Sequence, residues 1–422
     1  MESHKLPTNN LYDWLVYLES IHPKKINLGL DRVSRVKKQA GLDFKVPVII
    51  VGGTNGKGSV CSHLESIFLN ANYKVGCYTS PHIHRFNERI RINQHEVEDN
   101  EIVESLKYIE KAREEIELTY FEFTTLATAD IFKKHKVDIA ILEVGLGGRL
   151  DAVNVFDPTI SIINSISFDH QDYLGDTLES IGYEKAGIMR PNITTIINFE
   201  DVPHSVIAYA TKINATLNIV NKDYQIYDMD GKTIYKSNDH DFFSVDLSDY
   251  KFKSEKQNIA AVIRCCELLL GNFPNLMDAV NTGIKSSKLV ARLQIIQKNP
   301  CVIVDVAHNQ ESAVNLSLFC KDYMSVGKSK AVFSCLKDKD IKKIIRNFNF
   351  IDEWLIAEIP NDRKMSIMEI ESEIKLTHSN IAIKKFDSIY DAFDFAIKHS
   401  DAEDSIIVFG SFYTVAQSGV LN

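Results

Sequence analysis

Nine short apolar runs, rich in β-branched residues, punctuate the chain: Val46–Val51, Lys74–Thr79, Val137–Val144, Thr159–Ser165, Thr194–Asn198, Cys301–Val306, Lys330–Cys335, Trp354–Ile359 and Ser405–Phe409. Runs of this length suit strands covered on both faces. Helical patterns fill the intervals. After the first run, Val60, Leu64, Ile67, Phe68 and Ala71 recur on one helical face. Such alternation predicts an α/β fold built on mainly parallel sheets. The rhythm breaks over Asn221–Gln257, a polar stretch containing Asp230-Gly231-Lys232, where an antiparallel excursion or long surface loops are expected. A helix is predicted over Asn258–Leu270, and NTGIKSSKLV (281–290) reads as a linker. The rhythm then restarts. Two domains follow: residues 1–287, larger, with a phosphate-binding loop on a mainly parallel sheet, and residues 288–422, smaller and Rossmann-like.

The loop is GGTNGKGSV, between the first strand and its helix. Gly52, Gly53, Gly56 and Gly58 let backbone approach a ligand closely. A helix N-terminus then presents amides and a positive dipole end to phosphate oxygens. Lys57 is placed to neutralise the β- and γ-phosphates, and Ser59 to cap the helix or touch a metal. Because Gly58 separates Lys57 from Ser59, the usual GxxxxGK[ST] pattern is not met and an ordinary kinase or GTPase fits less well.

Other polar groups follow apolar runs, where parallel sheets bind ligands. Glu143 ends one strand and suits Mg²⁺ beside a triphosphate. Asp169-His170 and Ser80 follow two more. Arg85, Arg89 and Arg91 either orient an anionic substrate or pair with nearby acids. Lys185 lies on a short helix ending near Gly187, and by its residues alone reads as a solvated lysine. Asp305 and His308-Asn309 end the first strand of the second domain, with Arg292 thirteen residues before Asp305. That distribution predicts a site closed between two domains.

A formal net charge of -9 disfavours a nucleic-acid partner, since no basic excess replaces phosphate counterions. The scattered pairs Lys24-Lys25 and Lys342-Lys343 read as solvated surface. No leader pattern opens the sequence, and no run approaches the roughly 20 apolar residues of a membrane helix. Seven cysteines without CxxC spacing suit reduced, buried thiols in a cytoplasmic enzyme.

The motifs GTNGKGS, TSPHI-x-R-F-x-E-R-I-R, TYFEFTTL, LEVGLGGRLDA-x-N, FDHQDYLG, EKAGI, AR-L-Q and DVAHN occur in that order. Together they resemble the folylpolyglutamate synthases, most closely the bifunctional bacterial dihydrofolate synthases/folylpolyglutamate synthases of the Mur ligase superfamily. The likeness runs from LYDWLVYLESIHPKKINLGLDRV to GSFYTVA. It implies a Mur ligase central-type domain followed by a ligase domain. It also implies ATP-dependent addition of L-glutamate to dihydropteroate and to reduced folates through an acyl phosphate. Separately from the resemblance, a cytoplasmic monomer is expected.

The same resemblance implies that Thr54, Asn55, Gly56, Lys57, Gly58 and Ser59 hold ATP phosphates, with Asn258, Arg292 and Asp305 as further ATP contacts. Ser80, Glu143 and His170 match the Mg²⁺ ligands, and Lys185 the lysine carbamylated by CO₂. Thr119, Tyr120, Phe121 and Glu122, with Leu150, Asp151 and Ala152, match pterin contacts. Two departures stand out: Val290-Ala291 replaces a common Pro-Gly, and Gln310 replaces Pro after AHN. A Mur ligase acting on a UDP-linked precursor is disfavoured, since no uridine-binding domain precedes residue 46. Intact Lys57, Glu143, His170 and Lys185 argue against a non-catalytic ATP-binding module.

Overall fold

The computed structural model describes residues 10–22, 26–239, 243–247, 250, 252–379 and 381–421, together with Pro7. The first six residues and the Lys24-Lys25 pair lie outside these. The chain divides into two compact units. The first runs through Ile166 and resumes over Leu174–Lys288; the second takes Ser167–Tyr173 and continues from Leu289.

In the first unit, β1 (Val48–Gly52), β2 (Val75–Tyr78), β3 (Ile90–Ile92), β4 (His95–Glu96), β5 (Ile139–Glu143), β6 (Ile160–Ile163), β7 (Thr194–Ile197) and β8 (Thr216–Ile219) form one sheet. Its order is β4-β3-β2-β5-β1-β6-β7-β8. From β2 to β8 the pairing is parallel, and β3 and β4 make an antiparallel edge. Val48 and Ile50 of β1 enter one hydrophobic core, Ile49 and Val51 the other. Both faces are therefore covered, which is why the run is apolar without alternation.

The excursion after β8 is antiparallel: β9 (Tyr224–Met229), β10 (Lys232–Ser237) and β11 (Phe243–Val245) make a separate sheet. Met229 pairs with Lys232, so Asp230-Gly231 is a two-residue hairpin loop with φ of 51° and 74°. Asp-Gly suits the type I′ turn that such a loop demands.

The linker expectation fails. Asn281–Ser286 is not linker but the end of the helix Leu276–Ser286. A Cβ on Gly283 would lie 2.6 Å from Ile67 Cα, so this glycine serves close helix packing, not flexibility. The helix expected from Asn258 also starts earlier, at Lys253.

In the second unit, β12 (Gln294–Lys298), β13 (Cys301–Val304), β14 (Ser329–Phe333), β15 (Glu353–Ile356), β16 (Ala382–Lys385) and β17 (Ser405–Phe409) are ordered β12-β13-β17-β14-β15-β16. Only β12 runs antiparallel to its neighbour. All nine apolar runs are strands, in an α/β fold with two parallel-rich sheets.

Candidate active site

β1 leads into the glycine loop, and the helix Lys57–Asn70 begins directly after it. Its N-cap is Gly56 at φ 77°, a residue with no side chain of its own to cap the first amides. That leaves a helix N-terminus suited to an anion. Gly56 is required twice over: its φ favours glycine, and an added Cβ would lie 2.2 Å from Asn164 Nδ2 and 2.8 Å from Asn258 Oδ1. Asn164 Nδ2 donates to the Asn55 carbonyl (2.9 Å) and to Asn258 Oδ1 (2.8 Å). The amides of Thr54 and Asn55 donate to the Ser165 carbonyl and hydroxyl, at 2.8 and 2.9 Å. The loop is thus stapled to the end of β6. Lys57 Nζ bends back to the carbonyls of Gly53 and Thr54, both at 3.1 Å. Gly58 and Ser59 lie inside the first helical turn, so Ser59 is not the cap. Sequence reasoning missed Asn164 and Ser165, although polar residues ending an apolar run were the signal used elsewhere.

Register brings further groups to the same sheet edge. Val51 of β1 pairs with Glu143 of β5, and β2, the other neighbour of β5, leads to Ser80. The Ser80 amide donates to Glu143 Oε2 at 3.1 Å, and Glu143 is 3% exposed. A hydroxyl and a buried carboxylate side by side are hard oxygen donors. They fit Mg²⁺, which completes its shell with water and substrate phosphates. Among the described residues no three His, Cys, Asp or Glu side chains are grouped to hold an ion unaided.

Lys185 is 4% exposed on the helix Leu178–Ala186, so the reading of a solvated lysine is wrong. The glycine loop after β5 packs on this helix: a Cβ on Gly148 would lie 3.1 Å from the Lys185 carbonyl oxygen. Of the three arginines, Arg91 pairs with buried Glu65 at 2.8 Å and Arg85 with exposed Asp99 at 3.4 Å. Arg89 Nε donates to His82 Nδ1 (2.9 Å), and its guanidinium lies over the Phe86 and Tyr120 rings. Burial first, then Arg89, pushes the His82 imidazole down to about 4.

Thr119 and Glu122 form a capping box that starts the helix Tyr120–His135. Glu122 Oε2 accepts the Thr119 amide at 2.7 Å, and Oε1 accepts Arg32 Nη2 at 2.8 Å. Arg32 was not legible in sequence. Phe121 stacks on Tyr78 (centroids 5.8 Å apart), and a Cβ on Gly145 would lie 2.7 Å from Phe121 Cζ. Tyr120 and Leu150 are half-buried; Ala152 is buried. Asp151 accepts the amides of Leu146 (2.8 Å) and Val153 (3.0 Å), yet burial pushes its carboxyl up to about 7.

In the second unit Asp305 follows β13 and accepts the Leu293 amide at 2.7 Å. Burial raises its carboxyl to about 6, against the pull of that amide and of Arg292. Ala291, the departure from Pro-Gly, is buried at φ 53°, where glycine is preferred. Gln310 opens the helix Gln310–Tyr323 after the N-cap Asn309, a position where proline is also at home. His170 stands in this unit at φ 51°, beside Asp169, which meets His308, Asn309 and Lys339. Lys339 also escaped sequence reasoning.

A glycine loop opening a helix on a parallel sheet, the Ser80–Glu143 pair one strand away and a second α/β unit are the arrangement expected of a ligase of the Mur type. The chain matches the Mur ligase middle domain over residues 51–261 and the Mur ligase glutamate ligase domain over 291–412. It is 38% identical over 412 residues to the dihydrofolate synthase/folylpolyglutamate synthase of Escherichia coli (strain K12), spanning 96% of this chain and 94% of that one. The solved structure of E. coli FolC in complex with DHPP and ADP is similar with a TM-score of 0.89 at 36% identity, covering 97% of each chain. A bifunctional folylpolyglutamate synthase/dihydrofolate synthase with Mn, AMPPNP and L-glutamate bound gives 0.86 at 33% identity, covering 98% of each. The chain belongs to the dihydrofolate synthase/folylpolyglutamate synthase family.

Proposed function

We propose that this protein is an ATP-dependent ligase joining L-glutamate to dihydropteroate, forming dihydrofolate, and to reduced folates and their glutamates. The observation that carries the reading is the glycine loop opening the helix Lys57–Asn70 one strand away from the Ser80–Glu143 pair. The ADP, AMPPNP, Mn and L-glutamate named for the similar solved structures support it.

In the proposed reaction a substrate carboxylate oxygen takes the γ-phosphoryl group of ATP and ADP leaves. The α-amine of glutamate attacks the acyl carbon, the C–O bond to phosphate breaks, and inorganic phosphate departs as the amine loses its proton. Residues Thr54–Ser59 would cradle the phosphates, and Lys57 would swing from its loop carbonyls to the charge on the transferring group. Asn258 would support the loop through Asn164, with Arg292 and Asp305 as further ATP contacts. Bound Mg²⁺ would neutralise charge between the phosphate oxygens and the entering carboxylate. Ser80, Glu143 and His170 would hold it, and Lys185, as its carbamate, would add a fixed negative group. Thr119–Glu122 and Leu150–Ala152 would position the pterin. Seven free, buried cysteines support a reducing, cytoplasmic setting. Action as a monomer is part of the same proposal.

The test is ADP release by purified protein with glutamate and either dihydropteroate or tetrahydrofolate. Release with both is expected. Release with tetrahydrofolate alone narrows the activity to polyglutamylation, and release with neither overturns the reading.

A further inference from the structure

The segment Ser167–Tyr173 follows the last strand residues of β6 but packs as part of the second unit. Its anchor is Asp169, whose side chain is 7% exposed. Oδ1 meets Lys339 Nζ at 2.5 Å and also accepts the His170 amide at 2.9 Å. On the other side of the carboxylate, His308 Nε2 and Asn309 Nδ2 each lie 3.4 Å from Oδ2. His308 Nδ1 donates to the Val306 carbonyl at 2.8 Å, which turns Nε2 towards Asp169. Burial alone would push the Asp169 carboxyl up, but His308, His170 and Lys339 hold it well below the usual range.

Lys339 is itself buried, 5% exposed at its side chain, in the turn after β14. Its other carboxylate neighbour, Asp338 at 3.5 Å, is engaged by Arg363 at 2.8 Å. A buried lysine–aspartate pair is poor evidence for stability, because desolvating both charges offsets their attraction. Here its consequence is geometric. The oxygen that Lys339 holds is the one that holds the His170 backbone, and His170 sits at φ 51°, an uncommon conformation for a residue with a Cβ.

We propose that Lys339 is a positioning residue for His170: through Asp169 it fixes the backbone that aims the imidazole as a metal donor. The proposal rests on the reading of His170 as a Mg²⁺ ligand. Lys339 needs no contact with metal or nucleotide to act in this way. Groups that orient a ligand typically change metal affinity about 10–100-fold when removed.

The experiment is Mn²⁺ binding to the full chain with AMPPNP, followed by electron paramagnetic resonance, for His170→Ala, Lys339→Met, Lys339→Arg, Asp169→Asn and the double variant Lys339→Met/His170→Ala. Lys339→Met is expected to weaken Mn²⁺ binding about 10-fold or more, Lys339→Arg to restore part of the loss, and the double variant to bind no worse than His170→Ala. If His170→Ala binds Mn²⁺ like the wild type, the ligand assignment itself fails. If His170→Ala is weakened while Lys339→Met is not, the positioning role alone is overturned. Additive losses in the double variant overturn it as well. Should Lys339→Met not fold, Asp169→Asn decides: unchanged Mn²⁺ affinity in that variant excludes the relay.

Discussion

The backbone amide of Ser80 donates to Oε2 of Glu143 at 3.1 Å, tying together the ends of two neighbouring parallel strands. A glutamine at 143 still offers that amide an oxygen but loses the charge a divalent cation needs. Glu143→Gln is therefore expected to keep its melting temperature and to bind Mn²⁺ at least about 10-fold more weakly in the presence of AMPPNP. Unchanged affinity in a Mn²⁺ titration would remove Glu143 from the metal site.

Gly56→Ala forces a methyl group onto Asn164 and Asn258 and an alanine into φ 77°. The loss is about 1–3 kcal/mol of stability, together with ADP affinity, since Asn164 also holds the Asn55 carbonyl. Urea unfolding and calorimetric ADP titration read the two effects. A variant as stable as the wild type would mean the loop rearranges freely.

Ala291 presents the opposite case, an alanine already placed where glycine is favoured. Ala291→Gly relieves the left-handed strain but loosens the unfolded chain. The net expectation is a gain of up to about 1 kcal/mol, visible as a higher urea midpoint. A loss would show that the buried methyl group contributes more than the strain costs.

Lys185→Ala leaves a small space at a buried position. If a carbamate works there, ligase turnover falls about 100-fold or more and acetate or propionate restores part of it. Full activity without any added acid would dismiss the carbamate.

Burial raises the Asp151 carboxyl from 3.8 to about 7. The folded chain then keeps a proton that the unfolded chain releases, so this contribution to stability is complete below about pH 4. It fades as pH rises towards about 7, by up to about 1.4 kcal/mol per pH unit. Asp305, raised to about 6, acts in the same direction over the lower part of that window. Asp151→Asn should flatten the dependence of the urea midpoint on pH between 5 and 7, leaving the share of Asp305. Equal slopes in variant and wild type would place the proton elsewhere.

The strands were legible because burial on both faces leaves an unbroken apolar run, as in the residues of β1 and β5. Strands at sheet edges were not: β8 and β16 are largely half-buried or exposed, so their residues carry no such run. The helix Leu276–Ser286 was misread because glycine and serine suggest flexibility in one dimension and close packing in three. The loop, Glu143 and Ser80 announced themselves at strand ends. Asn164 and Ser165 also ended an apolar run and went unnoticed there. Arg32 and Lys339 gave no local signal, since their partners Glu122 and Asp169 stand 90 and 170 residues away in the chain.

The brief visit of Ser167–Tyr173 to the second unit also limits how the gene can be divided. A fragment beginning at Leu289 would carry every strand of its sheet and yet lack Asp169. Lys339 would then be left with Asp338 alone, already shared with Arg363, and His308 would lose its carboxylate. Dissection or recombination that respects this protein must therefore move two pieces of sequence together, one of them seven residues long.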